Sequence, residues 1–251
     1  MPRSANLPRV TESSADPLAR LNALEGVGSA MAATRDGIDA LLRDRGMRRT
    51  APDLTGESLL RGAHASAVLE GSDASLDDVR EGHAGGMAQA AVRLSVELLA
   101  LAPTLNNSPL QALARMHTLA GKGVASDDEL GRPRNQGSAE RLGALSKLLV
   151  ADTAAPALVV AAVVHAEIMS TVPFVSHNGL VARAAERLVL VARGVDPKSL
   201  VVPEAGHLAL RKEYESNLRG YRDGGPAGVH AWLLYAAEAY AAGAEASPLK
   251  R

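Results

Sequence analysis

The stretch from Pro156 to Gly194 constrains this chain most. Pro156 introduces a strongly apolar run that continues to about Ser170. A proline suits the first turn of a helix, because its missing N–H would be unpaired there in any case. After a short break at 171–179, Leu180, Ala184, Leu188 and Val191 recur at helical spacing and mark one face of a second helix, which Gly194-Val-Asp-Pro197 stops. Two helices joined by a tight turn are thus fixed before any other element is considered.

The rest of the chain reads in the same period. Leu21, Leu24, Val27, Met31, Ile38, Leu41 and Leu42 predict a helix from about Leu18 to Arg45, weakened by Gly26, Gly28 and Gly37. Residues 50–55, with Pro52, read as a break, followed by a short helix from about Gly56 to Glu70 that Gly71-Ser72 ends. Ser75 is a candidate N-cap, with Asp77 and Asp78 in the first turn of a helix reaching about Leu101 and Gly85-Gly86 as its soft point. A loop is expected over 103–109, helices over 110–121 and 139–150, a loop over 122–137, and two closing helices over about 207–222 and 226–244. No segment alternates like a strand. The predicted architecture is all-α, with at most a stray hairpin near 122–137. Its expected divisions are a flexible lead at 1–16, a helical arm at 17–55, the main domain at 56–245 and a short tail at 246–251.

Composition excludes several functions. Apolar residues make up 47% of the 251 positions, but only one Trp, one Phe and four Tyr are among them, so the core must be packed from Ala, Leu and Val. The same scarcity removes the aromatic platforms that single-stranded nucleic acid needs, and a formal net charge of −1 leaves no basic footprint for a duplex. No nucleic acid is expected. Without cysteine there is no disulfide and no thiolate chemistry. The start carries no signal-peptide pattern, and no run approaches the roughly 18 uncharged apolar residues of a membrane span. The chain is expected to reside in the cytoplasm, away from membranes. His64, His83, His117, His165, His207 and His230 show no metal-ligand spacing, so no metal site is expected. His165 and Glu167, on the apolar helix, read as buried or interface residues. The triplet Gly26-Val-Gly28 lacks both a preceding strand and a third glycine at Met31, and so is no dinucleotide loop.

The turn at 171–183 carries the chemistry that the sequence offers. The first N–H groups of a helix lack internal partners and carry the positive end of its dipole. Asn178 and Gly179 stand at such a start and tolerate the backbone conformations that let N–H groups converge on an anion. Arg183 follows one turn in. A phosphate is a sensible ligand for Asn178, Gly179 and Arg183; the alternative is that Asn-Gly merely caps the helix and Arg183 is solvated.

The segment Val172-Pro-Phe-Val-Ser-His-Asn-Gly-Leu-Val-Ala-Arg183 resembles the signature of the Fic (fido) family, His-Pro-Phe-x-Asp/Glu-Gly-Asn-Gly-Arg-x-x-Arg, matching it at Pro173, Phe174, Asn178, Gly179 and Arg183. Flanking segments are similar as well: Ala162-Val-Val-His165-Ala-Glu before the turn, Leu188 to Gly194 after it, Leu113 to His117, Gly131-Arg-Pro-Arg134, and Tyr214 to Ala244. The resemblance covers about residues 56–245. Ser66-Ala-Val-Leu-Glu70-Gly71 further fits the inhibitory helix that precedes some Fic domains. It implies that Glu70 pairs with Arg183 and displaces a nucleotide's terminal phosphate. Without the resemblance, Glu70 is only an exposed glutamate before a C-capping glycine.

The resemblance implies AMP transfer from ATP to a target hydroxyl, but the substitutions remove its parts. Val172 stands where the family's general base belongs, a loss of on the order of 10²–10⁴ in rate. Ser176 replaces the acidic residue that holds Mg²⁺, so the motif is not expected to hold that ion. Leu180 replaces the first arginine, and His177 the first glycine. Between Arg134 and Ala139 there is almost no room for the flap that pairs with a target polypeptide. The leading expectation is a pseudoenzyme that serves as a binding or regulatory scaffold for a protein partner, with a homodimer plausible. One alternative is a divergent transferase or hydrolase on nucleotide or phosphorylated substrates, with His177 as acid–base. Another is a sensor that binds ATP or another phosphate-containing ligand without turnover.

Overall fold

A computed structural model describes residues 16–43 and 47–250. Its elements are α1 (Pro17–Asn22), α2 (Val27–Leu42), α3 (Met47–Leu69), α4 (Leu76–Glu81), α5 (Gly86–Leu98), α6 (Ala102–Asn107), α7 (Pro109–Gly121), α8 (Gln136–Val150), α9 (Ala157–Thr171), α10 (Asn178–Ala192), α11 (Pro203–Ala209), α12 (Arg211–Asp223) and α13 (Gly225–Glu245). The architecture is all-α, as expected. Among the described residues there is no strand, and the hairpin allowed near 122–137 shrinks to an isolated bridge between Lys122 and Ala125.

The apolar helix α9 is the axis of the bundle. Every side chain from Leu158 to Ala166 is buried, and Ile168 with them. A helix that is apolar all round can only be stable when neighbours cover every face. Those neighbours are chiefly α10, which packs along it, with α12, α13 and α8. The Trp232 indole of α13 donates to the Ala162 carbonyl at 2.9 Å, which satisfies the N–H of the largest buried ring. Helices α11 and α13 approach closely because Gly206 has no Cβ; one there would run into the Ala239 carbonyl.

Helix boundaries differ from expectation where short turns intervene. Left-handed Gly26 separates α1 from α2, so the single helix expected from Leu18 onward is two. Residues 44–46, at its expected end, lie outside the described residues, as does the lead except for Asp16. Asp16 caps α1 by accepting the N–H groups of Leu18 and Ala19 at 3.1 Å each. Pro52 does not break the chain: α3 runs through it, because near a helix start a proline forfeits only one backbone bond. Ser75 and Asp78 form a reciprocal capping box, but the helix they open ends at Glu81, where Gly82 turns left-handed. The expected loop at 103–109 is largely the helix α6, entered through Pro103 in its first turn. A turn around Leu210 likewise divides α11 from α12.

The stretch Gly86–Asn107, of mean hydropathy 1.2, is long and apolar enough to cross a membrane by length and composition. Core helices share that property, and Ala88, Ala90, Ala91, Leu94 and Leu98 are buried within the bundle.

Candidate functional site

The turn between α9 and α10 is held by one side chain. Asn178 accepts the Phe174 N–H through Oδ1 at 2.9 Å and donates Nδ2 to the Phe174 carbonyl, also at 2.9 Å. That reciprocal bond pins the turn into a closed loop. Val172 and His177, at its two ends, both lie in the left-handed region, at φ 43° and 54°. For β-branched Val172 that conformation is costly. Phe174 is buried and stacks on His117 of α7, ring centroids 4.4 Å apart and planes 8° from parallel. The Gly131 N–H donates to His117 Nδ1 at 3.0 Å, and the Arg134 N–H to the Pro173 carbonyl at 2.8 Å. The segment after α7 is thus laced to the turn, and α8 begins at Gln136, directly after that lacing.

Arg183 does not swing free in solvent. Its side chain is 1% exposed and donates to four acceptors: Nε to Ser66 Oγ at 2.7 Å, Nη1 to the Tyr214 hydroxyl at 3.0 Å, and Nη2 to the Ser66 carbonyl at 3.2 Å and to Glu70 Oε1 at 2.7 Å. The structure therefore brings Ser66, Glu70 and Arg183 together. Ser66 sits in the last turn of α3, and Gly71, at φ 92°, turns the chain away so that Glu70 projects from the helix end. The Glu70 carboxylate lies against Gly179 at the start of α10; a Cβ on Gly179 would run into it. A carboxylate there occupies the position that the helix dipole and first N–H groups favour for an anion.

The other candidates are placed differently. Leu180 is buried in the core, and Val172 is 38% exposed at the rim. The Ser176 hydroxyl shares a hydrogen bond of 2.8 Å with His177 Nδ1. Burial lowers the pKa of the half-buried His177 ring below its ordinary value, with nearby Glu70 opposing the shift. A cavity of about 260 Å³ adjoins the pair, lined by Glu70, Arg183, Tyr214, Ser170, Arg219 and Arg222 among others.

Similarity to solved structures identifies the fold that carries this arrangement. A Fic family protein from Desulfovibrio desulfuricans G20 superposes with a TM-score of 0.66 at 19% identity, over 84% of this chain and 73% of that one. A fragment of Fic-1 from C. elegans superposes with a TM-score of 0.69 at 17% identity, over 88% and 71%. The chain has the Fic fold. No protein-family model and no curated protein matches the sequence. At these identities the likeness is one of fold, and it assigns no activity to the turn at 171–183 or to the helix carrying Ser66.

Within the Fic fold, Tyr214 was invisible to sequence reasoning as a partner of Arg183. It comes from α12, and the one signal was a buried tyrosine in an otherwise polar helix. His165, Glu186 and His207 were missed as a group for the same reason: they converge from α9, α10 and α11, all three fully buried. Burial pushes His165 down to about 4. Burial opposes ionisation of Glu186, yet His165 and His207 hold its carboxyl well below the usual carboxylate range. Glu167 instead faces outward, accepting from the Tyr221 hydroxyl at 2.8 Å and from Arg141 at 3.2 Å.

Proposed function

We propose that this protein is a pseudoenzyme on the Fic fold: a binding or regulatory scaffold without AMP-transferase activity. The observation that carries the reading is the turn itself. It offers Val172 where a base would act, a Ser176 hydroxyl bonded to its neighbour where a metal-holding acid would sit, and a buried Leu180 in place of an arginine. Its anion seat is filled by the chain's own Glu70. The test is label transfer from radiolabelled ATP with Mg²⁺, using the unaltered protein and Glu70→Gly on mixed protein targets. No transfer by either is expected. Transfer by Glu70→Gly that disappears in the Glu70→Gly/His177→Ala double variant overturns the pseudoenzyme and favours a divergent transferase.

That second reading rests on His177, whose ring stands beside the helix start with its pKa lowered by burial, a candidate proton acceptor. A third, ligand sensing without turnover, rests on the cavity beside Arg183, Arg219 and Arg222, which suits a phosphate-bearing ligand. Calorimetry with ATP, ADP and AMP separates it: binding in Glu70→Gly that is lost on adding Arg183→Ala, without label transfer, is the sensor's signature. A protein partner or a second copy is supported by the apolar groove between α3 and α5, lined by Leu59, Leu60, Val92 and Val96, the last 77% exposed. Sedimentation analysis reports whether that second copy binds. We infer residence in the cytoplasm, without a nucleic-acid or membrane ligand.

A further inference from the structure

His165, Glu186 and His207 come from three helices and aim at one point in the core. His165 Nδ1 and His207 Nε2 each lie 2.9 Å from Glu186 Oε2, and all three side chains are fully buried. Their donor atoms lie within 4.8 Å of one another. Each outer atom is held by a phenol: His165 Nε2 by Tyr214 at 2.9 Å, His207 Nδ1 by Tyr235 at 2.8 Å, and Glu186 Oε1 by Tyr240 at 2.8 Å. The inner side is less well served. With a proton on His207 Nε2 one bond to Glu186 Oε2 is made, whereas His165 Nδ1, at the same 2.9 Å from that oxygen, lies outside good hydrogen-bond alignment with it. Two buried imidazole nitrogens crowding one carboxylate oxygen, one of them poorly aligned, leave room for a better partner between all three.

We propose that His165 Nδ1, Glu186 and His207 Nε2 hold a single divalent transition-metal cation of the zinc type. Two imidazoles and one carboxylate form the donor set such ions prefer, whereas Mg²⁺ and Ca²⁺ require a shell of oxygens that this core does not supply. One ion gives His165 Nδ1 a partner and serves all three donors together. With the inner nitrogens bound, the outer Nε2–H and Nδ1–H donate to Tyr214 and Tyr235, the outer-shell arrangement that fixes ligating histidines. Bond lengths of about 2.0–2.1 Å require the donor atoms to part by a few tenths of an ångström from their present spacing. The site meets the candidate site through the Tyr214 hydroxyl, which bonds both His165 Nε2 and Arg183 Nη1, but the pseudoenzyme reading does not depend on a metal there.

Metal content is read by mass spectrometry on protein purified without chelator from cells grown with added zinc, and again with added cobalt. About one equivalent per chain is expected, and the cobalt form should show the visible d–d bands of a low-coordinate ion with nitrogen ligands. A metal content of a few per cent, with no such bands, overturns the proposal. Tyr235→Phe keeps the core volume and should weaken binding about 10–100-fold, and His207→Gln should abolish it; metal retained undiminished in folded His207→Gln also overturns it. Should that variant not fold, X-ray absorption on the unaltered zinc protein decides, since fewer than two imidazole ligands per ion refutes the assignment.

Discussion

At the residue scale, Gly179 and Arg183 set the character of the candidate site. Gly179 is where the Glu70 carboxylate meets the start of α10, and no larger residue fits while Glu70 holds its place. Gly179→Ala is therefore expected to expel the carboxylate and destabilise the protein by about 1–3 kcal/mol. Denaturant titration measures the loss, and adding Glu70→Gly should recover most of it. Arg183 is buried with four acceptors, while Glu70 retains contact with water. Arg183→Met leaves the Ser66 and Tyr214 oxygens without their donor and should cost about 3–5 kcal/mol. Glu70→Gln preserves an oxygen acceptor and should cost only about 1 kcal/mol. A reversed order in the two unfolding free energies would refute this account of the pair.

At the scale of elements, the turn between α9 and α10 owes its shape to side-chain bonds more than to backbone preference. Two of its residues hold left-handed conformations that only surrounding structure can maintain. Asn178→Ala removes both bonds to Phe174 and should cost about 2 kcal/mol, with stronger hydrogen exchange at 172–178 than elsewhere in α9 or α10. An exchange pattern unchanged by that substitution would show that packing of Phe174 on His117 holds the turn alone. The α4 cap is a simpler case. Ser75 accepts the Asp78 N–H at 3.1 Å, and Ser75→Ala should cost about 1 kcal/mol in thermal or chemical unfolding.

At the scale of the whole molecule, buried histidines make stability depend on pH. Burial, assisted by nearby His177, pushes His117 down to about 4, below its ordinary 6.5. The unfolded chain therefore takes up a proton that the folded chain refuses, so this contribution is fully present above about 6.5 and falls as pH drops toward 4. His177 shifts in the same direction. Urea unfolding between pH 7.5 and 4.5 should show stability falling with acidity. His117→Gln should reduce that slope by about one proton, and an unchanged slope would remove His117 from the explanation.

The sequence by itself determined the helical class and the pairing of an apolar helix with a second helix across a tight turn, because helical periodicity and turn residues are local signals. It also pointed to the stretch at 171–183 and to Ser66 and Glu70, through their order along the chain and their resemblance to a known family. Helix ends were less legible: Pro52 sits inside α3, and 103–107 is helix, because neighbouring elements reward the extra turns more than local preference opposes them. Only the tertiary structure decided that Arg183 is buried rather than solvated, that Tyr214 holds it, and that His165, Glu186 and His207 share one point. Those side chains come from helices tens of residues apart, and no local spacing encodes a meeting that the packing of α9, α10, α11 and α12 creates.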